Sequence, residues 1–352
     1  MEKPNLFNFA TSELSQDAFI CWLLSWAKPE YRNTDSKLND CATKLLQAFF
    51  KKHDRKFPAI IESVEIAKQD NNIDVLCVVN GIYPVLIEDK THTEQSSDQL
   101  PRYYATVLGR GYDPENILPI YFKTGDQSDY GPVEDAGYKP FLRGDLLAVL
   151  NAYEDVHSEI FQDYRVRMNS IEESVQSFKT QPLNKWSWDS WIGFYMALKK
   201  ELGGGDWGYV ANPSGGFLGF RFSGHNNAYL QLEKKREEPG NLCFKIEVLE
   251  RERQTADRWA WHAAFMEASK NTEFSLKKPD RFGKGTYMTV CVLDEEYRKT
   301  NNEVLDMQGT VQKIQKISDF MKTVSLEVDE DEQEIEIVCS PTIVIGDENG
   351  DI

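Results

Sequence analysis

The feature that most constrains this chain is a pair of short apolar runs joined by an Asn-Gly step. I-D-V-L-C-V-V and Y-P-V-L-I-E-D-K flank Asn80-Gly81. Runs of that length and β-branched content read as strands, and Asn-Gly between them signals a hairpin. Such strands belong in a core. Yet this hairpin carries Asp74 near its start and Glu88-Asp89-Lys90 at its close. Charges entering a core are costly unless they meet a partner or a metal.

The surroundings supply the layers such a hairpin needs. T-S-E-L-S-Q-D-A-F-I-C-W-L-L-S-W-A reads as a helix over about 12–27, capped by Ser or Thr, with Leu14, Ala18, Cys21, Trp22 and Trp26 near helical spacing. A second helix is expected over 38–52 and a strand in I-I-E-S-V-E-I-A. After the hairpin come a polar helix (97–108), a buried strand in I-L-P-I-Y-F-K-T and a helix around 143–153. That order predicts an α/β core, a mixed sheet with helices on its faces. A polar stretch follows, with a connecting helix expected at 170–178.

A Trp-rich helix (W-S-W-D-S-W-I-G-F-Y-M-A-L-K-K-E-L), stopped by Gly203-Gly204-Gly205, opens a second unit. An antiparallel meander of three or four strands continues it, then a helix (255–269), a strand (287–293) and a helix (311–322). The closing runs E-I-E-I-V-C and T-I-V-I alternate as strands do. A chain of 352 residues exceeds one ordinary core, so two domains are expected, 1–180 and an α+β unit over 181–352 with an acidic tail.

Apolar residues at 41% and aromatics at 12% place the chain among globular proteins rather than disordered ones. The N-terminus shows no charged-then-apolar signal region, and no apolar run approaches the ~18 residues of a membrane helix. A cytoplasmic protein with no membrane partner is expected. The six cysteines form no C-x-x-C pair and several sit in apolar runs, which suits reduced thiols better than disulfides or zinc. A net charge of −17 argues against a nucleic-acid coat protein. Much of that excess lies in the tail, where the acids from Glu327 to Asp351 meet no Lys or Arg after Lys322, and 181–322 is close to neutral.

On a strand, residues two apart share a face, so Glu88 and Lys90 project together and Asp89 points away. Whether Asp74 joins them depends on the turn. A two-residue Asn80-Gly81 loop would pair residue 74 with 87 and separate the acids. A three-residue Val79-Asn80-Gly81 loop would pair 74 with 86 and bring Asp74 onto the face of Glu88 and Lys90, as a bulge at Pro84 would. We expect one of the latter two. Two carboxylates converging at the end of a sheet make a site for a hard cation, Mg²⁺ or its substitute Mn²⁺. Such an ion polarises a phosphoryl oxygen and acidifies bound water. A nearby lysine can orient that water or stabilise charge on the phosphate.

Asp74, thirteen residues, then Glu88-Asp89-Lys90 resembles the Asp…Glu-x-Lys signature of the PD-(D/E)XK nuclease superfamily, with Ile73 where the name has proline. Glu13 on the first helix resembles the helical acid of that superfamily. Gln99 and Tyr103, at i and i+4 on one helix face, are similar to its Gln-x-x-x-Tyr element. The order of S-E-L-S-Q-D-A-F-I-C-W-L-L, I-D-V-L, V-L-I-E-D-K and Q-L-P-R-Y is similar to a bacterial branch of restriction-like nucleases, over roughly residues 5–150. The resemblance implies a restriction-endonuclease-like core and Mg²⁺-dependent hydrolysis of phosphodiester bonds, in DNA before RNA, in bacterial defence. It implies Asp74 and Glu88 as metal ligands, Glu13 completing the site, and Asp89 lending its backbone carbonyl. Lys90 would position the attacking water, and Gln99 and Tyr103 would support the lysine or touch the nucleic-acid backbone. Cutting both strands of a duplex favours two symmetry-related sites, hence a homodimer.

Plainer readings stand beside these. Asp74 could cap a strand, Glu88 and Lys90 could be an edge ion pair, and Gln99 and Tyr103 a polar helix face. Asp17 shares the face of Glu13, and either could be the ligand or a solvated charge. Arg102 would touch phosphate or solvent, and His92 is expected on a loop surface. Trp186, Trp188 and Trp191, like Trp259 and Trp261, invite base stacking, but helical aromatic stripes are more often core. The glycine runs lack the setting of a phosphate loop and read as turns. The alternative from another class is a nuclease-fold binding module that recognises nucleic acid or a protein without cutting, its acidic tail occupying a basic cleft.

Overall fold

The apolar runs form the middle of a mixed five-stranded sheet in the computed structural model, which describes residues 3–328, apart from 92, 94–97, 214 and 237, together with 335–339. The strands are β1 (Val64–Asp70), β2 (Ile73–Val79), β3 (Tyr83–Lys90), β4 (Leu118–Lys123) and β5 (Lys139–Leu142), side by side in that order. The first three are antiparallel, and β4 and β5 run parallel to β3.

Alternation on these strands decides which helices cover which face. Val75, Cys77, Val79, Val85, Ile87, Ile120 and Phe122 share a core with side chains of α1 (Glu13–Ser25), α2 (Ser36–Lys52), α5 (Arg143–Leu150) and α6 (Glu159–Gln176). On the other face Leu76, Val78, Leu86 and Tyr121 meet Leu100, Tyr103 and Val107 of α3 (Gln99–Leu108), with Val133 of the short α4 (Gly131–Asp135). The unit is therefore a mixed α/β sheet flanked by helices, bounded as Met1–Ser174.

Two local readings need correcting. The buried face of α1 is Phe19, Ile20, Leu23 and Leu24, with Gln16 and Asp17, whereas Leu14 is 59% exposed and Ala18 is exposed. This helix is covered from more than one side, since Phe19 also stacks on Tyr164 of α6 at 3.7 Å between centroids. And α6 spans 18 residues, not nine. Its apolar stripe (Phe161, Tyr164, Met168, Val175) is so narrow among charged neighbours that only its last turns look helical.

The second unit, Val175–Ile352, carries an antiparallel six-stranded sheet. Its strands are β6 (Asp206–Val210), β7 (Phe217–His225), β8 (Ala228–Lys234), β9 (Asn241–Glu247), β10 (Leu276–Lys277) and β11 (Tyr287–Leu293), in the order β10-β11-β9-β8-β7-β6. It packs with α7 (Trp188–Leu202), α8 (Gln254–Ser269) and α9 (Met307–Thr323). Ser187 caps α7 and Gly203, at φ 68°, ends it left-handed. Trp191 is buried in this core and Trp186 and Trp188 pack against it. Two hairpins complete the unit, β12 (Lys299–Asn301) with β13 (Val304–Asp306) and β14 (Val324–Val328) with β15 (Ile335–Cys339). The expected strand T-I-V-I and most of the acidic tail lie outside the described residues. Among those described, no helix is long and apolar enough to cross a membrane, and Cys21, Cys41, Cys77, Cys243 and Cys291 are free thiols.

Candidate functional site

Three residues, Asn80, Gly81 and Ile82, close the hairpin. Val79 pairs with Tyr83 and Val75 with Ile87, with no register shift at Pro84. Asn80 and Gly81 are left-handed at φ 55° and 66°, and the Ile82 amide donates to the Val79 carbonyl at 3.1 Å. The loop thus lies one residue later than expected, and residue 74 falls opposite Glu88 rather than 86. Asn80 supplies the reason. Its Oδ1 accepts from the amides of Glu62 (2.8 Å) and Ser63 (3.2 Å), and its Nδ2 donates to the Ile60 carbonyl, which pins it inside the turn. A shift of two keeps the face, so Asp74 does join Glu88 and Lys90.

These groups meet at the carboxyl end of two parallel strands, the edge at which open α/β sheets bind ligands. Glu88 is fully buried and Lys90 is 7% exposed. The Lys90 ammonium forms an ion pair with Glu88 Oε1, lies 3.7 Å from Asp74 Oδ2 and donates to the Asp89 carbonyl at 2.9 Å. Gln99 Nε2, on the first turn of α3, donates to Glu88 Oε1 at 2.6 Å and lies 3.3 Å from the Tyr103 hydroxyl. Asp74 accepts from the Asp89 amide at 3.0 Å and from Gln69 Nε2 at 3.1 Å. Glu88 Oε2 is buried with no hydrogen-bond partner among the described residues.

Burial, then the charge of Asp74, pushes the Glu88 carboxyl up to about 7 in spite of Lys90. For Lys90, burial pulls downward but Glu88 and Asp74 outweigh it, so the ammonium holds its proton more tightly than usual. Glu13 approaches from α1. Its Oε1 accepts from the Thr91 amide (3.1 Å) and Thr93 Oγ1 (2.7 Å). Burial would raise the Glu13 carboxyl, yet those hydrogen bonds and the charges of Lys90 and Lys123 hold it below its usual range.

The Asp89 side chain points to the other face, as alternation requires. It accepts from Gln16 Nε2 and lies against Asp17, and Tyr164 OH (3.1 Å) and Thr124 Oγ1 (2.6 Å) both donate to Gln16 Oε1. Burial and the neighbouring acids drive Asp89 well above the usual carboxylate range, and burial with Asp74 raises Asp17. Asp17 is 1% exposed, so it is not a solvated charge, and it lies with Asp89 and Gln69 rather than beside Glu88. Of Asp89, only the carbonyl meets Lys90.

Two contributors escaped the sequence reading. Gln69, left-handed at φ 54°, donates to Asp17 at 3.2 Å as well as to Asp74, tying the two faces together at the sheet end. Lys123, 1% exposed, pairs with Lys90 across β3 and β4 and donates to the Thr93 carbonyl at 2.5 Å. Its position at the close of Y-F-K-T, as Lys90 closes I-E-D-K, was the available signal. Cys291 Sγ lies 3.4 Å from His262 Nδ1, a pairing not foreseen. That nitrogen also lies 2.8 Å from the Val290 carbonyl and burial pushes the thiol up to about 12, so the pair is no nucleophile. Arg102 lies over the Tyr103 ring at 5.3 Å, and His92 is outside the described residues.

The donor set suits a hard divalent cation. Two adjacent carboxylates share one ammonium, and burial and then Asp74 push Glu88 toward protonation. Glu88 Oε2, like Asp89 Oδ2 and Asp17 Oδ1 on the other face, lacks a partner among the described residues. No group of three or more Asp, Glu, His or Cys side chains is gathered for an ion among the described residues. The fit is therefore two carboxylates with the Asp89 carbonyl, while Glu13 is engaged by Thr91 and Thr93. Compared with protein-family models, curated proteins and solved structures, the chain gives no match in any of the three.

Proposed function

We propose that the first unit is a restriction-endonuclease-like nuclease of the PD-(D/E)XK kind, hydrolysing phosphodiester bonds with Mg²⁺, in DNA before RNA. The observation that carries this reading is the hairpin register, which places Asp74 opposite Glu88 with the Lys90 ammonium between them. Asp74, Glu88 and the Asp89 carbonyl would hold the ion, which supplies charge for a phosphoryl oxygen and an acidified water. Lys90, kept protonated, orients the attacking oxygen and stabilises the charge growing on phosphate. Gln99 holds Glu88 Oε1 from the α3 side, and Tyr103 backs Gln99. Glu13 fixes the segment that leaves β3. Cutting a duplex would join two such sites in a homodimer, and defence of a bacterial cell is the role we infer for it.

The test is direct. Purified protein is incubated with plasmid and with single-stranded substrates, in Mg²⁺, in Mn²⁺ and in chelator. Cleavage that needs the ion and is lost in Lys90→Ala supports the reading, and cleavage surviving Lys90→Ala moves the chemistry elsewhere. The second reading, a binding module that does not cut, draws on the Lys90–Glu88 pair, which already gives Glu88 a cation. Ion titration separates the two, since a non-cutting relic needs no divalent ion at Asp74 and Glu88.

A further inference from the structure

One stretch of the second unit is locally basic. From Arg251 to Lys284 it holds eight Lys or Arg against five Asp or Glu. The second unit folds this stretch into α8, β10 and the connection from β10 to β11. The two tryptophans of α8 part company here. Trp261 is 3% exposed and belongs to the core, whereas Trp259, two residues earlier and so across the helix, is 48% exposed.

Phe282, from the β10–β11 connection, meets Trp259 edge-on at 4.8 Å. The Lys278 ammonium sits 4.3 Å from the Trp259 ring centre and 4.6 Å from that of Phe282, and the Arg258 guanidinium lies 4.4 Å over Phe282. Three other cations of the stretch are paired with acids, Arg253 with Asp257 at 3.3 Å, Lys270 with Glu267 at 2.5 Å and Lys277 with Asp294 at 2.7 Å. Lys278 and Arg258 rest on rings instead, and among the described residues neither makes an ion pair. Arg258 is 8% exposed, and its Nε is buried without a hydrogen-bond partner. Two uncompensated cations beside a half-exposed indole match the chemistry that tracks an unpaired strand, where rings stack on bases and cations meet phosphates. A duplex hides its base faces and offers the indole nothing to stack on.

We propose that the surface centred on Trp259 binds single-stranded nucleic acid, one base stacking on Trp259 and the flanking phosphates meeting Lys278 and Arg258. In its choice of partner the proposal rests on the nuclease reading, and it assigns the grip on substrate to the second unit.

The full-length Lys90→Ala protein in chelator, which leaves every strand uncut, is titrated with labelled oligothymidylate and followed by fluorescence anisotropy. Trp259→Ala is expected to weaken binding about tenfold, the loss of one stacked base, and Trp259→Phe to restore most of it. Lys278→Gln should weaken binding and lower the slope of log affinity on log salt by about 0.7, one phosphate contact on a single strand. Lys44→Glu, a larger charge change on α2, should leave affinity unchanged. The proposal is overturned if the parent does not bind, if Trp259→Ala and Lys278→Gln bind as the parent does, or if an abasic oligomer or a duplex binds equally well. Cleavage by the unsubstituted protein in Mg²⁺ is read separately. Binding without cleavage defeats the nuclease reading alone, and cleavage with Trp259→Ala binding unchanged defeats the docking surface alone.

Discussion

Glu88 and Asp89 are neighbours on one strand, both fully buried, and they face opposite environments. Glu88 meets Lys90, Asp74 and Gln99 on the α3 side. Asp89 meets Gln16 and Asp17 on the α1 side, where among the described residues it makes no ion pair, and burial holds it well above the usual carboxylate range. The difference teaches that burial alone does not mark a catalytic acid. Asp89, raised by burial and the neighbouring acids, is held by Gln16 through Oδ1, while its Oδ2 is as unpartnered as Glu88 Oε2 among the described residues. It reads as structure because it shares no ammonium with a second acid. Burial and then Asp74 raise Glu88 to about 7 against the pull of the Lys90 ammonium that the two acids share, and Glu88 is the acid we propose as a ligand.

The comparison breaks most sharply at the lysine. Lys90→Ala should lower the cleavage rate by at least about 100-fold, the scale of losing one charge-stabilising donor, measured as initial rate on supercoiled plasmid. Next, Glu88→Gln should abolish ion-dependent cleavage while Asp89→Asn, which copies the protonated acid, retains it within about tenfold. Equal losses in both would merge the two faces into one site.

A pH series sharpens the same contrast. The Glu88 carboxyl is raised in the fold, so the stability it contributes is present below the ordinary carboxylate range and is lost as pH rises through about 7. In chelator at pH 8, Glu88→Gln should therefore stabilise the protein by about 3 kcal/mol and at pH 4 by close to nothing. Thermal unfolding reads both, and a gain that does not grow with pH would remove Glu88 from the charged cluster. Smallest is Gln69→Ala, which cuts the link between Asp17 and Asp74 at a cost of about 1 kcal/mol, seen by urea unfolding.

How much of this was legible depends on how local each cause is. Alternation placed Glu88 with Lys90 and sent Asp89 away, because strand parity needs only neighbours in sequence. The pairing of residue 74 depended on the turn, and the turn is set by Asn80 reaching Ile60, Glu62 and Ser63, some 20 residues back. Gln99 and Tyr103 were legible as a helix face. Asp17 was not, since a helix charge that will be buried looks like one that stays in water. The α1 stripe misled for a related reason, since a helix covered from more than one side shows no single apolar face. Trp259 and Trp261 were taken together as core, and the fold divides them.

The central claim is that Asp74 and Glu88 converge on one shared cation, and anomalous diffraction from crystals soaked in millimolar Mn²⁺ tests it most directly. The account predicts an anomalous peak bridged by one oxygen from each carboxylate, absent in Glu88→Gln. Density that stays empty there, or an ion bound elsewhere, would contradict it.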